Sequence, residues 1–373
     1  MMQQEKDLEL KLRLMKLLWN MGYFVRKNVV VTELGENFGS YTDIDVMGVK
    51  IDEEFNTEFL ICDCKSGQQA KTKERLFWLN GLMNYLGARK GIFLRTKMNP
   101  MKYQSVANKL NITILSENEL NELEKVYGVH GSEYFGSFDH NQPSMENSFR
   151  TLKKIALDIH NYIKTDYWID SPTYQIHTLM KCCKNLKKLS SLPDQISSFA
   201  ILYSLSELSI SLIRFSKKII TIPKEYRRDS IVKELQGGKL EYKERKELLG
   251  TFYDFMTKEI HDRYKSKYPI SKPEFIDGLF NPPYTKYLVD LIERICSNPK
   301  GFFNVPKILD CLAHNYILKD KVTDLAKILG ALSKTEHESI QKAITDFFFF
   351  SKRSNLLSDE LSNEQNSKIT EFF

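Results

Sequence analysis

The chain has 373 residues, 42% of them hydrophobic and 27% charged, with a formal net charge of +6, an ordinary balance for a soluble globular protein of two or three domains. Six cysteines without a single Cys-x-x-Cys pair argue against a disulfide framework or a zinc ribbon and for a reducing, cytoplasmic setting. Met1 to Lys11 is polar and mixed in charge, unlike a signal peptide, and the most apolar long stretch, Ile196 to Ile213, carries Glu207 and several serines, so it reads as a buried helix rather than a membrane span.

In chain order, Leu8 to Trp19 places Leu8, Leu12, Met15 and Trp19 at helical spacing, widened by Leu14, Leu17 and Leu18, which predicts a core-facing amphipathic helix ended by Gly22. Tyr23 to Thr32 reads as a strand with Val25, Val29 and Val31, and Gly35 to Ser40 as a turn. Two further strands follow, Thr42 to Val49 and Glu58 to Gly67. Thr72 to Leu86 is expected to be a helix, Gly91 to Arg95 a short buried strand, Pro100 to Leu110 a helix and Ile112 to Leu115 a strand. Ser116 with Glu119 forms a capping-box start for a helix through Lys125.

The second and third strands carry the chemistry. Side chains alternate across a strand, so Asp43 and Asp45 share one face while Ile44 and Val46 take the other; likewise Asp63 and Lys65 share a face opposite Cys62 and Cys64. If these strands pair, two carboxylates and an ammonium meet on one side of the sheet, an arrangement suited to a hard cation. An acid two residues before a lysine also occurs at Glu9/Lys11, Glu241/Lys243 and Glu244/Lys246, but those lie in helical stretches, where such residues do not face each other.

Gly128 to Ser148 is crowded with Gly, Ser, Asn and Pro and reads as a linker, which divides the chain into a domain at 1–127, a linker at 128–148 and a helical domain at 149–373. Helices are expected over 146–164, 173–188, 194–218, 240–265, 285–296, 305–318, 322–332 and 337–350. The first 140 residues hold 18 Lys and Arg against 19 Asp and Glu, so the surplus positive charge belongs to the remainder, with 36 against 29. That surplus is compatible with tracking a nucleic acid, or simply with a solvated face. Lys153-Lys154, Lys184, Lys187-Lys188, Lys217-Lys218 and Arg227-Arg228 are candidate phosphate grips, and Tyr162, Tyr167, Trp168, Tyr174 and Tyr203 candidate stacking groups, although core packing is their default. The histidines are scattered and read as packing or surface residues. Phe347 to Phe350 must be buried, in its own domain or against a partner.

The order helix, three meandering strands, helix, strand, helix, strand resembles the restriction-endonuclease-like core of the PD-(D/E)xK nuclease superfamily, in its Mrr-like and related branches, over about residues 8–125. Carrying the resemblance are Gly22-Tyr23 after the first helix, Asp45, Asp63-Cys64-Lys65, Phe77 to Gly81 in the crossover helix, and the strand Gly91-Ile92-Phe93-Leu94. It implies an α/β fold, a mixed central sheet flanked by helices, followed here by an all-α domain. It also implies a nuclease in which Asp45, Asp63 and the Cys64 carbonyl ligate Mg²⁺ or Mn²⁺ while Lys65 orients the attacking water. A lysine beside two carboxylates stays charged, which favours positioning over a role as free base.

Many family members add a glutamate from the first helix; Glu9 is the positional match, with Glu5 as its alternative and an exposed helix charge as the competing reading. Asp43 is a candidate accessory ligand, Gln68 a candidate contact to water or backbone, and Lys71, Lys73 and Arg75 are candidate phosphate contacts or plain surface charge. DNA is the expected substrate, with RNA as the alternative, and a bacterial antiphage defence effector is the expected setting. A homo-oligomer and a protein partner for the helical half are further expectations. The opposing class is a non-catalytic scaffold that keeps the fold to bind nucleic acid or a partner.

Overall fold

The computed structural model describes residues 2–32, 40–67, 71–129, 136–138, 142–280, 284–318 and 328–357. Helix α1 (Met2–Asn20) precedes three antiparallel strands, β1 (Phe24–Val31), β2 (Thr42–Ile51) and β3 (Thr57–Lys65). Helix α2 (Thr72–Leu86) then crosses over to β4 (Lys90–Arg95), and α3 (Gln104–Lys109) to β5 (Ile112–Leu115), each new strand parallel to the last. The result is a five-stranded mixed sheet in the order β1-β2-β3-β4-β5, closed by α4 (Glu117–Val126), whose Ser116/Glu119 capping box forms as expected.

Helix α1 buries Leu14, Met15, Leu17, Leu18 and Trp19 as expected, but its first turns are rotated relative to the apolar row read from the sequence. Leu8 and Leu12 are only half-buried, whereas Leu10, Leu14, Leu17 and Leu18 are sealed in the core. Each such burial contributes about 1.5–3 kcal/mol. The reason is two-sided packing, because α1 touches the sheet, α4 and the segment Gly136–Phe138. The rotation turns Asp7 and Lys11, one helical turn apart, toward the C-terminal end of β3.

The second half is helical. It comprises α5 (Gln142–Ile155), α6 (Leu157–Lys164), α7 (Pro172–Leu186), α8 (Asp194–Ile220), α9 (Lys224–Leu235), α10 (Lys239–Tyr264), α11 (Lys272–Phe280), α12 (Thr285–Ser297), α13 (Pro299–Phe302), α14 (Val305–Leu318) and α15 (Lys334–Arg353). Helix α8 is the hub, packed between α7 and α14. It is long and apolar enough to cross a membrane, yet 83% of its most apolar window is buried inside the protein. Four of its serines are satisfied locally, Ser206, Ser209, Ser211 and Ser216 each donating to a carbonyl one turn back, whereas the buried Ser204 hydroxyl has no partner among the described residues. The expected helix over 146–164 is instead two helices, because Ala156 leaves the helical conformation at φ −137°. Helices α9 and α11 were not anticipated, and most of the helix expected over 322–332 lies outside the described residues. Phe347, Phe348 and Phe350 are buried while Phe349 is half exposed, as helical periodicity demands.

The stretch read as a linker is in part structural. Phe138 packs edge-on against Trp19 at 5.0 Å, and the Ser137 N–H donates to Asp310 Oδ2 at 3.0 Å. Arg26 of β1 reaches into the helical half from the opposite direction. Its guanidinium donates to Asp310 Oδ1 at 2.6 Å and to Ser206 Oγ at 2.9 Å, between the rings of Phe24 and Tyr203, each 4.1 Å away. Sheet and helices are thus joined by a buried ion pair as well as by apolar contact.

Candidate active site

The β2–β3 ladder runs in register from Ile51↔Thr57 to Val46↔Cys62. One residue further Asp45 begins to diverge, and its carboxylate replaces the backbone ladder by accepting from the Cys64 N–H at 2.7 Å. Asp63 follows on β3, opposite Phe93 of β4, and Lys65 is opposite Arg95. The Lys65 ammonium bridges the two acids, 3.1 Å from Asp45 Oδ2 and 3.1 Å from Asp63 Oδ1. Both carboxylates are almost wholly buried, their side chains 6% and 1% exposed, while Lys65 keeps 34% of its side chain in contact with solvent. A reacting group therefore reaches the acids from the lysine side.

Further cations enclose the pair. Lys11 of α1 lies 2.6 Å from Asp45 Oδ1 and donates to Asn28 Oδ1 at 2.8 Å. Asn28 stands opposite Asp45 in the β1–β2 register, between the pairs Lys27↔Val46 and Val29↔Ile44, and has a left-handed backbone at φ 51°. Asparagine tolerates that conformation better than most residues, and here it turns its amide toward the lysine. Arg75 of α2 grips Asp63 with two bonds, Nε to Oδ2 at 2.8 Å and Nη2 to Oδ1 at 2.5 Å, and rests 3.9 Å over the Trp78 ring. Asp7 accepts from the Ser66 N–H at 2.8 Å, tying α1 to the chain just past Lys65.

Burial pushes the Asp45 carboxyl up, but the Lys11 and Lys65 ammoniums outweigh it and hold the group below the usual carboxylate range. Burial likewise disfavours charge on Lys65, and the two aspartates more than reverse it, raising its pKa. Arg75 is raised in the same way, burial being overcome by its bonds to Asp63 and the fields of Asp45 and Asp43. Asp45, Lys65 and Arg75 are thus each held in the charged form, at a centre where three basic side chains surround two carboxyl groups.

The structure brings Asp45, Asp63 and Lys65 together as the alternation of side chains requires, and Cys64 joins them only through its backbone N–H on Asp45. Asp43 is exposed on the same face of β2 and adds its field at Arg75 without touching either acid. Glu9 is not at this centre: it is exposed beside Arg13, on the side where Arg13 binds Glu124 and Asn121 of α4. Among the described side chains of α1, Asp7 is the acid that meets the strand end carrying Lys65, through the Ser66 N–H, and the side chain of Glu5 lies outside the described residues. Gln68 lies outside the described residues. Of the three basic candidates, Lys71 is exposed and paired with Glu74, Lys73 is exposed, and Arg75 is turned inward onto Asp63.

In the helical half, Arg227 donates to the carbonyls ending α8, Arg228 pairs with Asp290 and Glu293, and Lys187 holds Asn355 and Leu357. These cations are structural in this arrangement. Tyr162, Tyr167, Trp168 and Tyr203 are core residues, and Tyr174 is exposed.

For a divalent cation the donor set is chemically apt. Mg²⁺ takes one or two carboxylates and keeps several waters. A residue's N–H and C=O point to the same side of a strand, so the Cys64 carbonyl is turned toward Asp45 as its N–H is. Among the described residues no three His, Cys, Asp or Glu side chains are grouped to hold a metal, and the oxygens of both aspartates face the chain's own cations. A metal must therefore displace at least one of them, and Arg75, 29% exposed, can leave toward solvent. No protein-family model matches the chain, nor does any curated protein or solved structure.

Proposed function

We propose that the chain is a metal-dependent nuclease of the PD-(D/E)xK type that hydrolyses phosphodiester bonds, with DNA as its substrate. The observation that carries this reading is the convergence of Asp45, Asp63 and Lys65 within 3.1 Å on adjacent strands of a mixed sheet whose α1 and α2 supply further cations. Asp45, Asp63 and the Cys64 carbonyl would hold Mg²⁺ or Mn²⁺. When bound, such an ion polarises a non-bridging phosphate oxygen and lowers the pKa of a coordinated water.

The chain's own residues do the rest. Lys65, kept charged by both aspartates, positions a water and stabilises negative charge developing on the phosphate. Arg75 presents a planar fork that fits phosphate as well as carboxylate, so a DNA backbone entering from the solvent side can draw it off Asp63. Asp7 fixes the backbone after Lys65, and Lys11 with Asn28 fixes Asp45. The helical half, anchored through Arg26, is proposed to position DNA, sense a trigger or dock a partner.

A second reading has one observation in its favour: with Asp63 satisfied by Arg75, the fold stands without a metal, as a nucleic-acid- or partner-binding scaffold would. Incubating plasmid, linear DNA and RNA with the protein in Mg²⁺, Mn²⁺ or EDTA, beside Asp63→Ala and Lys65→Ala, decides between them. Metal-dependent cutting lost in both variants is expected, and the polymer cut fixes the substrate. No cutting, together with calorimetry showing no Mg²⁺ or Mn²⁺ binding dependent on Asp63, refutes the nuclease reading.

A further inference from the structure

A cavity of about 350 Å³ lies between the C-terminal end of α1, the far end of β2 and the start of α14. Its walls are apolar at Phe24, Ile51, Ile210 and Phe303, and its polar groups include two lysines, Lys50 and Lys307. Lys307 is buried, and its ammonium makes a single hydrogen bond, to the Trp19 carbonyl at 2.9 Å, while lying 4.8 Å from the Trp19 ring. Lys50, at the exposed rim, donates to the Met21 carbonyl at 3.0 Å. Neither lysine is ion-paired among the described residues. Glu58, opposite Lys50 on β3, is held by Tyr23 and Lys90.

Both ammoniums touch carbonyls at the end of α1, a position where cations are favoured. Capping explains one proton on each lysine. It leaves two N–H donors on each, and it does not require a buried charge, since a neutral amide would donate equally well. Buried charges are ordinarily paired. Gly22, beside the two lysines, has φ +94°, a left-handed conformation that favours glycine. The volume is that of a small-molecule site, which begins at about 300 Å³. Two cations lining one cavity favour a dianion, and the apolar side chains among its lining residues can accept an organic body attached to it.

We propose that this cavity binds a small phosphate-bearing anion through Lys307 and Lys50. Free inorganic phosphate and a phosphomonoester of mononucleotide size share that chemistry. The site is distinct from the Asp45/Asp63 centre and does not depend on the nuclease reading.

Calorimetry on the full chain at low salt, with inorganic phosphate and with adenosine monophosphate as probes, tests it. Wild type is expected to bind one equivalent of at least one probe; tighter binding of the nucleotide shows that the apolar walls are used. Losing one charged donor is expected to weaken binding by about 10-fold or more, so Lys307→Met and Lys50→Met should each do so. Lys307→Arg should restore much of it. Lys50 is at the surface, so its variant reports on binding even if Lys307→Met folds poorly. The Lys11, Lys65 and Arg75 cluster is the other place a phosphate can go; binding there is lost in Lys65→Ala and kept in Lys307→Met, and that pattern overturns the proposal. So does the absence of binding by either probe up to about 10 mM, weaker than any ordinary small-molecule site. Asp63→Ala should bind the anion as wild type does, so a failure of the nuclease reading leaves this result standing.

Discussion

Replacing Arg75 with alanine separates the catalytic reading from the scaffold reading, because on the catalytic reading Arg75 and a metal would compete for the same carboxylate. The guanidinium makes two charge-assisted bonds to Asp63, at 2.8 and 2.5 Å. Such bonds stabilise by about 1.5–3 kcal/mol each when buried. Arg75 is 29% exposed, so solvent screening reduces the pair of bonds to roughly 1–2 kcal/mol in total. A metal that must evict Arg75 works against that amount, so Arg75→Ala should tighten Mg²⁺ or Mn²⁺ binding by about 5- to 30-fold. Titration calorimetry of wild type, Arg75→Ala and Arg75→Ala with Asp63→Asn provides the comparison. The double variant should lose the gain, since asparagine keeps one neutral amide oxygen but has lost the carboxylate charge that draws the cation. If Arg75→Ala binds the ion no better than wild type, or worse, Arg75 does not occupy the metal's place and the assignment of Asp63 as a ligand fails with it.

The remaining predictions concern stability and pH. Arg26→Met leaves Asp310 and Glu207 buried without their cation and should cost about 3–5 kcal/mol in denaturant unfolding, against under about 1 kcal/mol if the cluster is incidental. Gly136→Ala places a Cβ 2.8 Å from Asp310 Oδ2 at φ +71°, and should destabilise by about 1–3 kcal/mol, measured in the same way. Asp45 has a depressed pKa, so the stability it contributes is present above about pH 4, the unfolded value, and is lost as pH falls through the folded value; Asp45→Asn should flatten acid unfolding in that range. Lys307 has the opposite signature: burial, opposed by Cys311 and helped by Lys50, leaves its pKa at about 8, so the unfolded chain binds more protons than the native one between that value and the ordinary 10.5, and stability should rise with pH across that window. Lys307→Met should abolish the rise.

What was legible in the sequence was what a local period determines. The strands declared themselves by β-branched residues and alternation, and alternation alone put Asp45, Asp63 and Lys65 on one face. The partners of those residues were not legible. Lys11 and Asp7 face the centre only because α1 is buried on two sides, a tertiary condition that at the helix start moves the apolar stripe from Leu8 and Leu12 to Leu10, in line with the expected Leu14. A signal was present in the i, i+4 pair Asp7/Lys11 flanking that second stripe. Asn28 reaches Lys11 through a left-handed residue that no pattern marks. Arg75 was identified as a cation at the start of α2, but its partner depends on the crossover that lays this helix over β3. Helices α9 and α11 escaped notice because few of their residues are buried, α9 burying only Ile231 and Leu235.

The same limit explains the cluster around Arg26. Arg26, Glu207, Asp310 and His314 come from β1, α8 and α14, far apart in the chain, and each alone reads as an ordinary surface or packing residue. Together they form a charged interior in which both Glu207 oxygens and the Arg26 Nε lack hydrogen-bond partners among the described residues. Burial pushes the Glu207 carboxyl up to about 8, with Arg26 and Lys164 opposing and Asp310 adding to the rise. An apolar core of the same shape would be at least as stable, since desolvating ions costs more than pairing them returns in many proteins. What the ionic arrangement adds is direction: Arg26 accepts only one seating, with its ends on Asp310 and Ser206 and its faces on Phe24 and Tyr203. That seating fixes the helical half against β1, and β1 carries Asn28, two residues on, to Lys11 and Asp45. Replacing Arg26 and its acids together by apolar residues should therefore preserve stability better than Arg26→Met alone, while loosening the register between the helices and the strand that supports Asp45.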